Sequence, residues 1–375
     1  MMAPHAGLER RVIAALEASP PRIPVVLGGC GSGRTTALHA LVDQMGRSEC
    51  QYIDVERAAS TPERFFQSLT ASSPFPRAIA GDAPKSAREA FDHTLSYFAR
   101  ARAADGPATF LLDEVLELRT FESFPGLRHV LRELLQALAE SGNRFVLTSR
   151  YVARAHRLLR DGAARFEVIH LPALSSSEVA AMLPPMGDAS AEDRDFLSRT
   201  IQALSDGRAS YVRAISEAAG GSNGRPGDPI SALTALLTSD GALATWCGYR
   251  YELRLHRARG YGALKAILEI LAEEEPLTLT EIAQRLHRTP GSTKDYLSWL
   301  EDVDLVIARQ KRYSFSDPLL RLWVRLHCRP VPPSVDEVAR EVQSYALARL
   351  PQTEPSMAMA GASTERKGWG IIEID

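Results

Sequence analysis

From Leu8 to Leu171 the chain alternates two apolar patterns. Leu8, Val12, Ile13 and Leu16 recur at helical spacing, and Pro20, Pro21 and Pro24 stop that helix. Short unbroken apolar runs predict buried strands at Val25–Leu27, at Tyr52-Ile-Asp-Val-Glu, from Ala108 to Asp113, from Arg144 to Arg150 and from Phe166 to Leu171. Between them the spacing returns to helix: after Thr35 (Ala37, Leu38, Leu41), over Pro62–Thr70, over Ser86–Arg102 and over Leu127–Glu140. Residues 71–84, rich in Pro, Ser, Gly and Ala, read as a loop. Strands alternating with helices predict an α/β fold: a parallel sheet with right-handed crossovers and helices on both faces. Ligands then bind outside the carboxyl ends of the strands.

Beyond Leu171 the strand pattern stops. Ser175, with Glu178 three residues on, has the spacing of a capping box. Helical spacing follows near Arg194–Leu204, Tyr211–Ala219, Pro229–Thr238 and Ala242–Leu255, and 220–229 reads as a loop or hinge. Arg250, Arg254 and Arg257 recur at helical spacing, as a solvated basic face or as contacts to phosphates or a partner. From Gly260 the order is helix (Tyr261–Leu271), short helix (Thr280–Leu286), turn (Thr289–Ser292), helix (Ser292–Leu300), then two strands around a basic tip; that order is a winged helix. Asp317–Leu326 and Ser334–Leu350 are further helices, 351–368 is a linker, and Trp369–Asp375 is apolar enough to add as a strand to an edge. The expected units are 1–172, a helical lid over 173–259, a winged helix over 260–328, and a C-terminal helix and tail over 329–375.

Composition narrows this picture only a little. The 375 residues are 45% hydrophobic and 24% charged, with a formal net charge of −2, so no global basic excess advertises nucleic acid. Cys30, Cys50, Cys247 and Cys328 are scattered without a C-x-x-C pair, which argues against a zinc site and a disulfide framework. With no signal-peptide pattern and no run near a membrane span, a cytoplasmic protein without membrane contact is expected.

The candidate chemistry sits at strand ends. Gly28, Gly29, Cys30, Gly31, Ser32, Gly33, Arg34, Thr35 and Thr36 follow the first apolar run in the spacing of a phosphate-binding P-loop, G-x4-G-K-[ST], with arginine for lysine. Glycines turn the backbone tightly, and the helix that follows turns its unpaired N–H groups toward the same anion. Asp113 and Glu114 close the third run: the first suited to Mg²⁺ beside Thr35, the second to orienting water. Thr148 and Arg150 end the fourth and are candidate sensors of a terminal phosphate. In the winged helix, Ser292, Thr293 and Lys294 would reach bases of double-stranded DNA, with Arg309, Lys311 and Arg312 on phosphates. Asp295, Glu301, Asp302 and Asp304 flank them, so a packing role against protein stays open.

In that order these motifs resemble P-loop ATPases of the AAA+/STAND class, and most closely the archaeal-type ATPase family. Thr148-Ser149-Arg150 looks like the STAND sensor motif, and Leu171-Pro-Ala-Leu-Ser-Ser-Ser-Glu like the entry into the family's lid. Leu279–Leu326, with Asp317-Pro-Leu-Leu-Arg-Leu-Trp, resembles its winged-helix region. The resemblance covers roughly residues 8–328. It implies ATP on the P-loop, Mg²⁺ on Thr35 and Asp113, water prepared by Glu114, and Arg150 and Arg213 sensing the γ-phosphate. Two departures stand out: Arg34 is longer and planar where the family has lysine, and Ala209 replaces the proline of Gly-x-Pro. Three functions follow: a slow Mg-dependent ATPase switch, a non-hydrolysing nucleotide- or DNA-binding regulator in which Arg34 marks lost turnover, and an oligomeric DNA-remodelling motor. The oligomeric state is not readable.

Overall fold

The alternation folds into the expected sheet. The computed structural model describes residues 6–75, 83–160, 165–185, 190–220 and 227–350. Five strands, β1 (Ile23–Leu27), β2 (Cys50–Asp54), β3 (Thr109–Asp113), β4 (Arg144–Ser149) and β5 (Phe166–His170), run parallel in the spatial order β2-β3-β4-β1-β5. The unbroken apolar runs have a simple cause: both faces are covered. Phe110 and Leu112 of β3, with Phe145 and Leu147 of β4, enter one core, where Phe110 stacks on Phe145 at 5.4 Å. Leu111 and Val146, from the alternate positions, enter the other core with Leu38, Leu41 and Val12.

The register sets the site. β4 lies between β1 and β3, pairing Leu27 with Ser149 and Leu112 with Leu147, while Asp54 of β2 pairs with Asp113. The Gly28–Thr35 loop, Thr148-Ser149-Arg150 and Asp113-Glu114 therefore leave three neighbouring strands on one edge of the sheet.

Local chemistry moved some boundaries. The Asp54 side chain accepts the Arg57 N–H at 3.0 Å and caps a helical turn, Val55–Ala58, so Glu56 leaves the strand expected to contain it. The helix expected from Leu127 begins at Val130, and a 3₁₀ segment, Val115–Ser123, fills a stretch that no pattern indicated. Ser175 and Glu178 form the expected capping box.

From Leu174 to Ala346 one continuous apolar core joins the helices between Ser176 and Arg257, the winged helix and the helix Val335–Leu347. The winged helix comprises Tyr261–Glu273, Leu279–Arg285 and Pro290–Asp302, with β6 (Leu277–Thr278), β7 (Val306–Arg309) and β8 (Arg312–Phe315) in antiparallel order β6-β8-β7. Thr289, expected in a turn, is the N-cap of the third helix, with Pro290 in its first turn. Gln310 and Lys311 form the two-residue wing tip, both at positive φ. Among the described residues no helix is long and apolar enough to cross a membrane. The Trp369–Asp375 strand expectation lies outside the described residues.

Candidate functional site

Between β1 and the helix Arg34–Met45 the chain turns through Gly31 at φ +79° and Gly33 at φ +100°, a region that favours glycine. Cys30 is buried, whereas Thr35 and Thr36 are exposed at the start of the helix. The Thr35 hydroxyl donates to Asp113 Oδ2 at 2.6 Å. Tyr52 donates to the same oxygen at 3.1 Å, and Thr148 donates to Oδ1. The Thr148 oxygen also accepts the Glu114 backbone N–H at 3.0 Å, so one hydroxyl orients both acids.

Glu114 stands at φ +58°, a strained conformation for a residue with a side chain. Its Oε1 accepts Arg34 Nη2 at 2.5 Å, and its Oε2 accepts the Arg150 backbone N–H at 3.0 Å. Burial pushes this carboxyl up, but Arg34, Arg150 and that N–H hold it below the usual carboxylate range. Arg34 turns back into the loop, donating to the carbonyls of Gly28 and Gly29 and to Ser32 Oγ. Arg150 is clamped by three acids: Glu56 at 2.5 Å, Glu117 at 3.1 Å and Glu114 at 3.3 Å. Against its own burial, Glu114, with Tyr151, Cys30 and Glu56, raises the Arg150 guanidinium above its ordinary value.

A cleft of about 320 Å³ opens at this point, walled by the glycine loop, Asp113, Glu114 and Arg150 on one side and by Ser210, Arg213 and Arg250 on the other. Thr35 Oγ1 and Asp113 Oδ2, two hard oxygens in contact, suit Mg²⁺, which takes a carboxylate or two and leaves its other positions to waters and phosphate.

Two expectations are corrected. Arg254 and Arg257 do not form a solvated face. Arg254 is buried and donates to the Asp304 carbonyl at 2.9 Å, and Arg257 reaches Glu117 at 2.6 Å and Glu56 at 3.2 Å. Arg250, half-buried, lines the cleft. Thr293 is fully buried, on one face with Leu297 and Leu300, and its hydroxyl donates to the Thr289 carbonyl at 2.9 Å, so it is closed to bases. Lys294, Arg309, Lys311 and Arg312 are exposed, and Ser292 is half-buried against Thr289. Of the flanking acids, Asp302 pairs with Arg157 of the helix Val152–Arg160 and Asp304 is buried. Sequence reasoning missed Tyr52, Glu56, Glu117 and Ser210; the first three stand in no recognisable motif, and Ser210 follows Ala209 of the altered Gly-x-Pro position.

A model of the winged helix-turn-helix DNA-binding family matches residues 263–307. No curated protein matches the chain. Among solved structures, the chain is similar to the Walker-type ATPase PABY2304 of Pyrococcus abyssi, with a TM-score of 0.64, 18% identity and coverage of 86% of this chain and 96% of that one. The Orc1 protein of Aeropyrum pernix, in complex with DNA, gives a TM-score of 0.44 at 17% identity over 93% and 95% of the two chains. Cdc6p of Pyrobaculum aerophilum gives 0.39 at 12% over 93% and 96%. The likeness to the Pyrococcus protein is one of fold; in this chain that fold is a five-stranded parallel sheet followed by helices and a C-terminal winged helix.

Proposed function

We propose that this chain binds ATP on the Gly28–Thr35 loop and, with Mg²⁺, hydrolyses it slowly as a regulatory switch for a winged helix that contacts DNA. The observation that carries the reading is the convergence of Thr35, Asp113, Glu114 and Arg150 on one cleft at the ends of three adjacent parallel strands, while Thr148, expected as a sensor, is fully buried behind it and bonds both acids. Backbone N–H groups of the loop and the N-terminus of Arg34–Met45 receive the phosphates. Thr35 and Asp113 hold Mg²⁺, which when bound neutralises charge on phosphate oxygens. Glu114 orients and polarises water, and Thr148 keeps its backbone in place. Arg150 and Arg213 face the terminal phosphate, the role that the STAND resemblance implies for the former. The units 1–172, 173–259 and 260–328 belong to this reading, with the last two joined by their shared core.

A second reading is favoured by one observation. Both Glu114 oxygens are occupied by arginine groups, which makes this carboxylate a poor base until one of them lets go. A non-hydrolysing regulator would keep it so.

Nucleotide titration with phosphate-release kinetics separates the two. Saturable Mg-ATP binding with release above background supports the switch; binding without release supports the second reading. Thr35→Ala is expected to weaken Mg-dependent ATP binding by about 10- to 100-fold. Wild-type affinity in that variant would remove Thr35 from the metal site. For DNA, replacing Lys294, Arg309 and Lys311 by alanine should weaken duplex binding and flatten its dependence on salt, since each phosphate contact adds to the slope. An unchanged slope would leave the winged helix as a packing module.

A further inference from the structure

The charges around the cleft are unevenly paired. On the sheet side Glu114 is held by Arg34 and Arg150, Glu56 by Arg150 and Arg257, and Asp113 by three hydroxyls. On the opposite wall two arginines lack an anion among the described residues. Arg213, on the helix Ala209–Ala218, is exposed and has no hydrogen-bond or ion-pair partner among the described residues. Arg250, on the helix Ala242–Arg257, stacks its guanidinium on Trp246, 3.2 Å from the ring centroid. Its Nη1 is closed off from water and has no acceptor among the described residues. That nitrogen stands over the middle of the glycine loop, 3.2 Å from where a Cβ on Gly31 would be. Next to it the Ser210 hydroxyl is also enclosed and unpartnered, while the Ser210 backbone N–H donates to the Gly31 carbonyl at 3.0 Å.

A packing role does not account for this arrangement. An enclosed guanidinium nitrogen without an acceptor carries a desolvation cost that an alkyl or aromatic side chain in the same place would avoid. Trp246 fixes the plane of the guanidinium but accepts nothing from its edge. Burial, with Arg254 nearby, outweighs Cys30, Tyr211 and Asp317 and holds the Arg250 cation below its ordinary value, the direction of a charge short of its counter-ion. The missing group is an oxyanion at the glycine loop.

We propose that Arg250, assisted by the Ser210 hydroxyl, is a phosphate ligand of this site, reaching the loop from the second helix beyond Gly220 and outside any P-loop motif. Its ligand is the polyphosphate chain of a nucleoside di- or triphosphate. The proposal rests on the ATP reading above. Arg254, four residues further along the same helix, holds the Asp304 carbonyl at the root of the wing, so a phosphate on Arg250 ties the wing-bearing helix to the P-loop.

The test is a titration of the full chain and its Arg250→Ala and Arg250→Lys variants with Mg-ATP, Mg-ADP and inorganic tripolyphosphate, with unfolding temperatures measured in parallel. Arg250→Ala is expected to weaken all three ligands by about 10- to 100-fold without changing the unfolding temperature of the ligand-free protein, as loss of a charged hydrogen bond implies. Wild-type affinity in Arg250→Ala overturns the proposal. So does a weakened affinity accompanied by a fall in unfolding temperature that lysine fails to restore, which marks a structural residue. If the wild type binds tripolyphosphate but neither nucleotide, the ATP reading has failed, and loss of tripolyphosphate in Arg250→Ala still supports Arg250 as the anion ligand. If the wild type binds none of the three, both fall.

Discussion

Replacing Glu114 by glutamine is expected to lower phosphate release from Mg-ATP by about 10²- to 10³-fold, the range that a positioned general base contributes. Glutamine keeps the shape of the side chain and an oxygen able to accept from Arg34 or from the Arg150 N–H, so the loop and the β4 end hold their places. What disappears is the negative charge that two buried guanidiniums share. Arg34 is thereby freed from its 2.5 Å ion pair and can turn toward phosphate, so Mg-ATP affinity is expected to stay within about threefold of wild type or to tighten, a bound charged contact being worth roughly 1.5–3 kcal/mol. Phosphate release and a binding titration on both proteins decide the matter. A glutamine variant that turns over like the wild type removes Glu114 from the reaction; background release from both leaves binding alone. Since Arg34 and Arg150 hold the Glu114 carboxyl below the usual range, it stays ionised across neutral pH, and its contribution to the rate should be flat there.

The pieces of this site that were legible in the sequence are those encoded locally. The Gly28–Thr35 spacing is a backbone requirement, and Gly31 and Gly33 do adopt positive φ. Asp113 and Thr148 were legible because each ends an apolar run buried on both faces, and parallel strands bring such ends together. Their mutual bond was not legible: the strand order, with β4 between β1 and β3, is a tertiary arrangement that no one run encodes, with Phe110 of β3 and Phe145 of β4 packed on each other and on Phe98. Helical periodicity shows which residues share a face but not what covers it. Hence Arg250, Arg254 and Arg257 read as a basic stripe, whereas the fold lays that stripe against the loop, Asp304 and Glu117. Thr293 is different, because the signal was present. Its spacing to Leu297 and Leu300 already put it on the buried face of its helix. Glu56 left its strand because Asp54 prefers to cap a helical turn, a preference that outweighed the apolar pattern at Tyr52-Ile53.

Asp317→Ala is expected to destabilise the protein by about 3–5 kcal/mol, because it breaks a buried pair on one side only. Asp317 is 2% exposed. It accepts the Tyr211 hydroxyl at 2.8 Å, lies 3.5 Å from Arg208 Nη1, and caps the helix Pro318–His327 through the N–H groups of Leu319 and Leu320 at 3.1 and 3.2 Å. Alanine leaves the Arg208 guanidinium enclosed without its carboxylate; burial works against this cation, and Asp317 is the largest influence raising it. Asparagine, which keeps the cap and the size, should cost less, and the gap between the two variants in denaturant midpoint separates the cap from the charge. A loss under about 1 kcal/mol in the alanine variant would mean that Arg208 finds water or another acceptor on its own. The damage should also reach the proposed nucleotide site. Arg208 Nη1 donates to the Cys30 carbonyl at 3.0 Å and Nη2 donates to the Ser316 carbonyl, so one side chain fastens the P-loop to the root of the helix that follows the wing. With Asp317 gone, that fastening loses its anchor, and ATP affinity should fall with stability while Glu114, on the far wall of the cleft, keeps its own partners.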